Sequence, residues 1–357
     1  MGTRKDSGIS GVLPVIKNPG PTSHDVVQIA RRALGTRQVG HTGTLDPAAR
    51  GLLVLCLGGY TKLVPYLTES DKSYSGFIAL GIETATDDRE GDPTMLGDAS
   101  SVTLERIHAV AARFRGEIEQ VPPRYSAIKV AGKKLYEYAR ENVKIEPEPR
   151  EVTVYNFDIQ SLEQPVLAGD GANVPKLTHA TLEVAFKTQH ATGKMRILRF
   201  TSRVSSGTYV RSLARDLGRE LGCGGFLLTL ERDGVGPVTL AQAMPQELLE
   251  SAPERAAEFM LRGAASLDTN RFPVFTIIRG FAGRLANGQP LNEKMMENAT
   301  VAAAVPSGAI CAITRDDGAL LAIVEAERFD AQRRANPYDS RFDVHFRPVR
   351  IFPGGLN

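Results

Sequence analysis

The chain has 357 residues, 42% hydrophobic and 24% charged, enough for one large core plus a smaller appended unit, and no run of about 18 apolar residues that would cross a membrane as a helix. Its 43 Lys and Arg against 41 Asp and Glu leave a net charge of +2, which neither demands nor excludes nucleic acid, so any such footprint depends on where basic groups cluster. The first residues lack the apolar core of a secretory signal, and Cys56, Cys223 and Cys311 lie far apart, which disfavours disulfides and structural zinc and fits a cytoplasmic protein.

In chain order, Gly11 to Ile16 predicts a first strand, with Pro14 favouring a sheet edge. Thr22 to Asp25 reads as a capping box opening a helix whose stripe is Val26, Ile29, Ala30 and Leu34, stopped at Gly35. A polar, glycine-rich loop from Thr36 to Arg50 leads into Leu52 to Leu57, a continuous apolar run expected of a strand buried on both faces. Ser73 to Leu80 predicts another strand, and Leu104, Ile107, Ala111 and Phe114 fall at helical spacing. From Val121 to Lys144, the basic residues Lys129, Lys133, Lys134 and Arg140 interleave with Tyr125, Tyr136 and Tyr138, a mixture that suits either a solvated helix and loop or an RNA-gripping projection.

Strands are expected at Val152 to Ile159, Thr181 to Phe186 and Met195 to Val204, with a glycine-rich surface loop from Leu167 to Pro175. A helix near Thr208 carries Val210, Leu213, Ala214 and Leu217 on one face, followed by a buried run at Phe226 to Leu230. Beyond about Met260 the elements shorten. An Asp317-Gly318 turn should join Cys311 to Thr314 with Leu320 to Glu325, and Phe342, Val344 and Phe346 alternate as in a half-buried strand. The expected division is 1–262 and a small β-rich unit over 263–357.

The segment with most chemistry in it is Gly40-His41-Thr42-Gly43-Thr44-Leu45-Asp46-Pro47, an acid in a glycine-rich loop just before a strand expected to be deeply buried. Taken alone, Asp46 reads as a turn residue and His41 as a structural histidine. The loop does not stand alone. It resembles the G-H-x-G-x-L-D-P catalytic loop of the TruB family of tRNA pseudouridine synthases, and the resemblance continues in order along residues 11 to 240. Gly20-Pro21-Thr22-Ser23, with Lys17 before it, resembles the family's opening motif; Lys72-Ser73-Tyr74 its K-x-Y; Asp88-Arg89-Glu90-Gly91 its D-x-x-G. Val121 to Ala127 and Gly132 to Arg140 resemble its RNA-gripping insertion, about 121–145; Ser206 to Arg211 its arginine motif; Leu230-Glu231-Arg232 the segment closing its pocket. Thr44 and Ala85 depart from the family's common alanine and aspartate, and the segment from Leu162 to Lys176 is longer than expected.

The resemblance implies an α+β pseudouridine synthase fold: a mixed, mostly antiparallel sheet flanked by helices, with a small C-terminal PUA-like β domain. It implies Asp46 as the carboxylate that attacks the target nucleotide, at uracil C6 or at ribose C1′, with Arg211 as its counter-charge, since the guanidinium fork binds a carboxylate bidentately and stays charged. Tyr74 matches the position that stacks on the flipped base and that could move a proton at C5. Tyr209 and Leu230 would wall the pocket, His41 would hold the flipped RNA, and Lys62, Lys129, Lys133 and Lys134 would contact it. The implied partner is the T-arm of tRNA, with the enzyme acting as a monomer and needing no metal or cofactor, because the isomerisation is redox-neutral. Two rivals stay open: a guide-RNA-dependent synthase, and a tRNA-folding chaperone with incidental catalysis.

Overall fold

The computed structural model describes residues 7–161 apart from 142, 144 and 146, residue 177, and residues 180–328 and 344–356. Among these, a ten-stranded sheet runs Met244–Pro245, Gly11–Lys17, Arg50–Leu57, Gly225–Val235, Lys72–Leu80, Arg196–Val204, Arg150–Ser161, Gly116–Gln120, with Val39–His41 added on Arg50–Leu57 and Val238–Thr239 on Gly225–Val235. Pro14 is tolerated near the edge because its outer neighbour pairs only with Val15 and Ile16. Arg50–Leu57 is buried throughout except at Arg50: Leu53, Leu55 and Leu57 enter one apolar cluster, and Leu52, Val54 and Cys56 another.

Most pairings within this sheet are antiparallel, but two are parallel. The second of these positions the site. Arg50–Leu57 meets Gly225–Val235 only at Arg50 with Glu231 and Gly51 with Arg232. N-terminal to Arg50 its chain leaves the sheet as the loop carrying Asp46, so a gap opens between that loop and Gly225 to Leu230.

The helix Ser23–Leu34 has the expected capping box, Thr22 with Asp25, and ends at Gly35 with φ of 63°. Helices Leu104–Ala112 and Val210–Leu221 bury their apolar stripes against the sheet face carrying Tyr74, Ile78 and Phe200. Residues 181–186, expected as a strand, instead lie in a helix, Ala180–Ala191, that covers the other face. The alternation misleads there because Leu182, Ala185, Phe186 and Gln189 also fall at helical spacing, and these are the buried side chains. Val39–His41, read as loop, forms a short strand.

The C-terminal part builds a five-stranded sheet in the order Val274–Thr276, Ile310–Thr314, Leu320–Arg328, Val344–Leu356, Leu291–Asn292. Gly318 turns the expected hairpin with φ of 83°. Val344 and Phe346 are buried as expected, whereas Phe342 and the long segment from Leu162 to Lys176 lie outside the described residues. Ala312, Leu320, Ile323 and Phe352 of this sheet pack with Leu52, Val54 and Cys56 of the first, and the Tyr60 hydroxyl accepts a 2.6 Å hydrogen bond from the Gly263 amide.

Candidate active site

The loop carrying Asp46 is clamped from three directions. Ser23 accepts from the Leu45 amide at 2.8 Å and donates to the Leu45 carbonyl at 3.1 Å. Lys17, with no exposed surface, donates to the carbonyls of Pro47 (3.2 Å) and Ala49 (2.7 Å). Arg232, 1% exposed, donates to Leu52, Thr44 and Gly43 at 2.7, 3.3 and 3.0 Å. Each of these cations satisfies backbone carbonyls that a loop leaves without ladder partners. Burial pushes the Lys17 ammonium down to about 8 against the pull of Asp46 and Glu90, and burial likewise takes Lys72 down to about 8. A glycine is required at position 51, where φ is +113° and a Cβ would stand 2.5 Å from the Arg232 carbonyl oxygen.

The structure joins positions 46 and 211. The fork of Arg211 meets the carboxylate side-on, Nε to Oδ2 at 3.0 Å and Nη2 to Oδ1 at 3.2 Å. The guanidinium is 7% exposed and the carboxylate 35%, so the pair sits at the wall of an opening with the acid on the accessible side. Remaining donors of Arg211 go to the carbonyls of Thr86 and Tyr125, both at 3.0 Å, and Asp88 Oδ2 lies 3.6 Å away. Burial opposes the charge on Arg211, but Asp46, Asp88 and Asp87 together raise its pKa above the ordinary value.

Asp46, Ala48, Ala49, Asp88, Arg89 and Leu227 to Leu230 line a narrow cavity of about 20 Å³ in the sheet gap. Leu230 is thus in the wall of this cavity. Tyr74 is buried on the central strand, cross-strand from Arg232, in the cluster against which Leu230 packs. Tyr209 is half-buried just before Val210–Leu221, its backbone held by Gln120 through bonds of 2.8 and 3.1 Å, and burial raises its phenol pKa. His41 Nδ1 accepts from the Gly43 amide at 3.3 Å, and burial together with Arg232 holds its pKa down. Lys62 is exposed at the end of the short helix Gly58–Leu63.

The insertion is a small hairpin, Lys129–Val130 with Lys133–Lys134, followed by the helix Leu135–Arg140. Lys129 is exposed; Lys133 lies 4.9 Å from the Tyr138 ring and pairs with Glu141; Lys134 and Arg140 lie 5.4 and 5.3 Å from the Tyr136 ring. These cation–π contacts order long basic side chains while leaving charge at the surface. The base of the insertion is tied to the arginine helix: Ser212 and Arg215 both donate to the Val121 carbonyl, at 2.8 and 2.9 Å.

Sequence reasoning gave no role to Asp87, Asp88, Arg215 or Arg232, although the D-x-x-G and L-E-R patterns contained two of them. Asp87 takes a left-handed φ of 61° and pairs with Arg215 at 2.9 Å. Burial raises the carboxyls of Asp87 and Asp88, opposed chiefly by Arg215 and Arg211 respectively. Asp87 meets Arg215 and Asp88 approaches Arg211 across more than a hundred residues, so spacing could not reveal these pairs. Among the described residues no three His, Cys, Asp or Glu side chains gather as a metal ion would require.

The model of the "TruB family pseudouridylate synthase (N terminal domain)" matches residues 31–210. A protein of Thermobifida fusca named tRNA pseudouridine synthase B is 40% identical over 282 residues, 79% of this chain and 86% of the relative. One of the same name from Corynebacterium diphtheriae is 37% identical over 89% of this chain and 96% of its own length. Among solved structures, a Cbf5-Nop10-Gar1 complex aligns with a TM-score of 0.65 at 22% identity, covering 96% of this chain and 84% of that one, which establishes a shared fold. A loop acid, a distant buried arginine and a sheet gap between them thus coincide with a match over most of the sequence: the chain belongs to the TruB family of pseudouridylate synthases.

Proposed function

We propose that this protein isomerises uridine 55 in the T-arm of tRNA to pseudouridine, with Asp46 as the attacking carboxylate. The observation that carries the reading is the side-on pair of Asp46 with Arg211 at the sheet gap. In the reaction the C1′–N1 bond breaks, the uracil turns, and a C1′–C5 bond forms. C5 loses its proton and N1 gains one. Atoms and electrons balance without an external oxidant.

Each residue then has a task. Arg211 meets both oxygens of Asp46 with its fork and fixes them in one plane. Extruding the uridine costs a few kcal/mol, partly offset by stacking on Tyr74, whose hydroxyl stands ready for the C5 proton. Leu230 and Tyr209 exclude water, and His41 supports the flipped strand. Lys129, Lys133 and Lys134 supply phosphate contacts from the insertion, with Lys62 adding another. We take residues 263–357 as a PUA-like appended domain and the enzyme as a monomer.

The relatives' shared name supports tRNA rather than a guide-directed target, and the presence of both Asp46 and Arg211 argues against a chaperone without chemistry. The test is the purified protein on a bare T-arm hairpin of unmodified RNA. Pseudouridine at the single T-loop position, with no guide RNA added, is the expected outcome; a strict requirement for a guide would reverse the choice.

A further inference from the structure

A cavity of about 530 Å³ adjoins the narrow one holding Asp46, sharing Ala48, Arg89, Thr229 and Leu230 with it. Its floor includes Ser75, Phe77 and Arg199, which by strand alternation point away from the sheet face carrying Tyr74 and Phe200. The gap beside Asp46 therefore connects two faces of the sheet. A nucleotide whose base enters this gap toward Tyr74 leaves its sugar-phosphate on the cavity side.

The charges there are unbalanced. Arg50 is paired with Glu231 at 2.6 Å, which leaves Arg89 and Arg199. Arg89 is only 8% exposed; its Nη2 donates to the Ala48 carbonyl at 3.1 Å, while its buried Nη1 has no hydrogen-bond partner among the described residues. Asp88 and Glu90 act on it through space without a direct hydrogen bond, and burial lowers its pKa. A buried cation with an idle donor is costly unless something fills the place. Arg199 is exposed at the cavity's wall, and no carboxylate among the described residues pairs with it.

We infer that this cavity is a phosphate subsite of the RNA strand, in which the Arg89 side chain turns its unpartnered Nη1 to a phosphodiester oxygen adjoining the target uridine and Arg199 adds a second positive charge at the wall. The inference rests on the proposed function and deepens it: Arg89 anchors the backbone at the point where the base leaves the stack.

The test is a cycle between protein and RNA. T-arm hairpins carrying one uncharged methylphosphonate, either 5′ or 3′ of the target uridine, are bound to the wild type, Arg89→Gln and Arg199→Gln. A charge-assisted hydrogen bond supports an expected loss of about tenfold in Kd for wild type at one of the two positions. Arg89→Gln should lose about as much on the unmodified hairpin and nothing further on the modified one. Arg199→Gln, an exposed change that leaves folding alone, should lose several-fold and lower the slope of log Kd against log salt by about 0.7. Losses that multiply at both positions for both variants, or unmodified RNA bound as well by both variants as by wild type, overturn the subsite. Pseudouridine formation by the wild type on the same hairpin separates the two readings: its absence sinks the proposed function, and its presence with multiplying losses sinks the subsite alone.

Discussion

Arg211 faces Asp46 through two of its donors and spends the others on the carbonyls of Thr86 and Tyr125, so no single-point cation reproduces it. Arg211→Lys keeps the charge and loses the fork. We expect turnover to fall on the order of a hundredfold or more, the size of removing one preorganised charge-assisted interaction, while circular dichroism stays native. Turnover within about twofold of wild type would remove Arg211 from the chemistry. Tyr74→Phe separates two tasks of one side chain: the ring stays to stack, and the hydroxyl is gone. RNA affinity should hold and turnover fall; normal turnover would leave the hydroxyl without a chemical role.

The loop from His41 to Ala49 is held in place because buried cations and one serine bond several of its carbonyls and the Leu45 amide, and Gly51 lets the strand pass Arg232 at close range. Gly51→Ala places a Cβ against the Arg232 backbone in a left-handed conformation, at a cost on the order of 3 kcal/mol. A drop in melting temperature together with lost turnover is the expected result. Lys17 and Lys72 both have folded-state pKa values depressed to about 8 from 10.5. Their neutral forms are the ones the fold favours, so the stability they contribute is fully present above about 10.5 and is lost as pH falls through about 8. Thermal melts from pH 7 to 10 should show this rise with pH, reduced in Lys17→Met; an unchanged slope in that variant would show that Lys17 does not titrate there.

At this scale the sequence was legible where one local rule acted. The capping box at Thr22, the apolar strand from Leu52 and the hairpin at Gly318 each follow from a few adjacent residues. The helix Ala180–Ala191 was misread because a six-residue window satisfies both periods. Asp46 and Arg211 were legible only through the family pattern; by themselves a turn acid and a helix arginine carry no such signal. The second layer, Asp87 to Arg215 and Arg232 to the loop carbonyls, depends on contacts across the fold that no local pattern encodes.

Over the whole molecule, the proposed function divides catalysis and RNA grip between different parts that meet at the arginine helix. The insertion's base is bonded to Ser212, next to Arg211, and to Arg215, one turn further on, while Lys133 and Lys134 lie over tyrosine rings. Replacing Lys129, Lys133 and Lys134 together with Gln should raise KM and lower the salt dependence of binding while leaving kcat within about twofold, because phosphate contacts position RNA without touching the reacting atoms. An equal fall in kcat would instead place the insertion in the chemistry. In the proposed function one loop carboxylate performs the isomerisation, and Asp46→Asn tests that role, since the amide keeps the shape and loses the charge. On an unmodified tRNA transcript, carbodiimide mapping should find pseudouridine at position 55 with the wild type and none with Asp46→Asn, although the variant binds the transcript with comparable affinity. Pseudouridine formed by Asp46→Asn at the wild-type rate, or its absence with the wild type, would contradict the account.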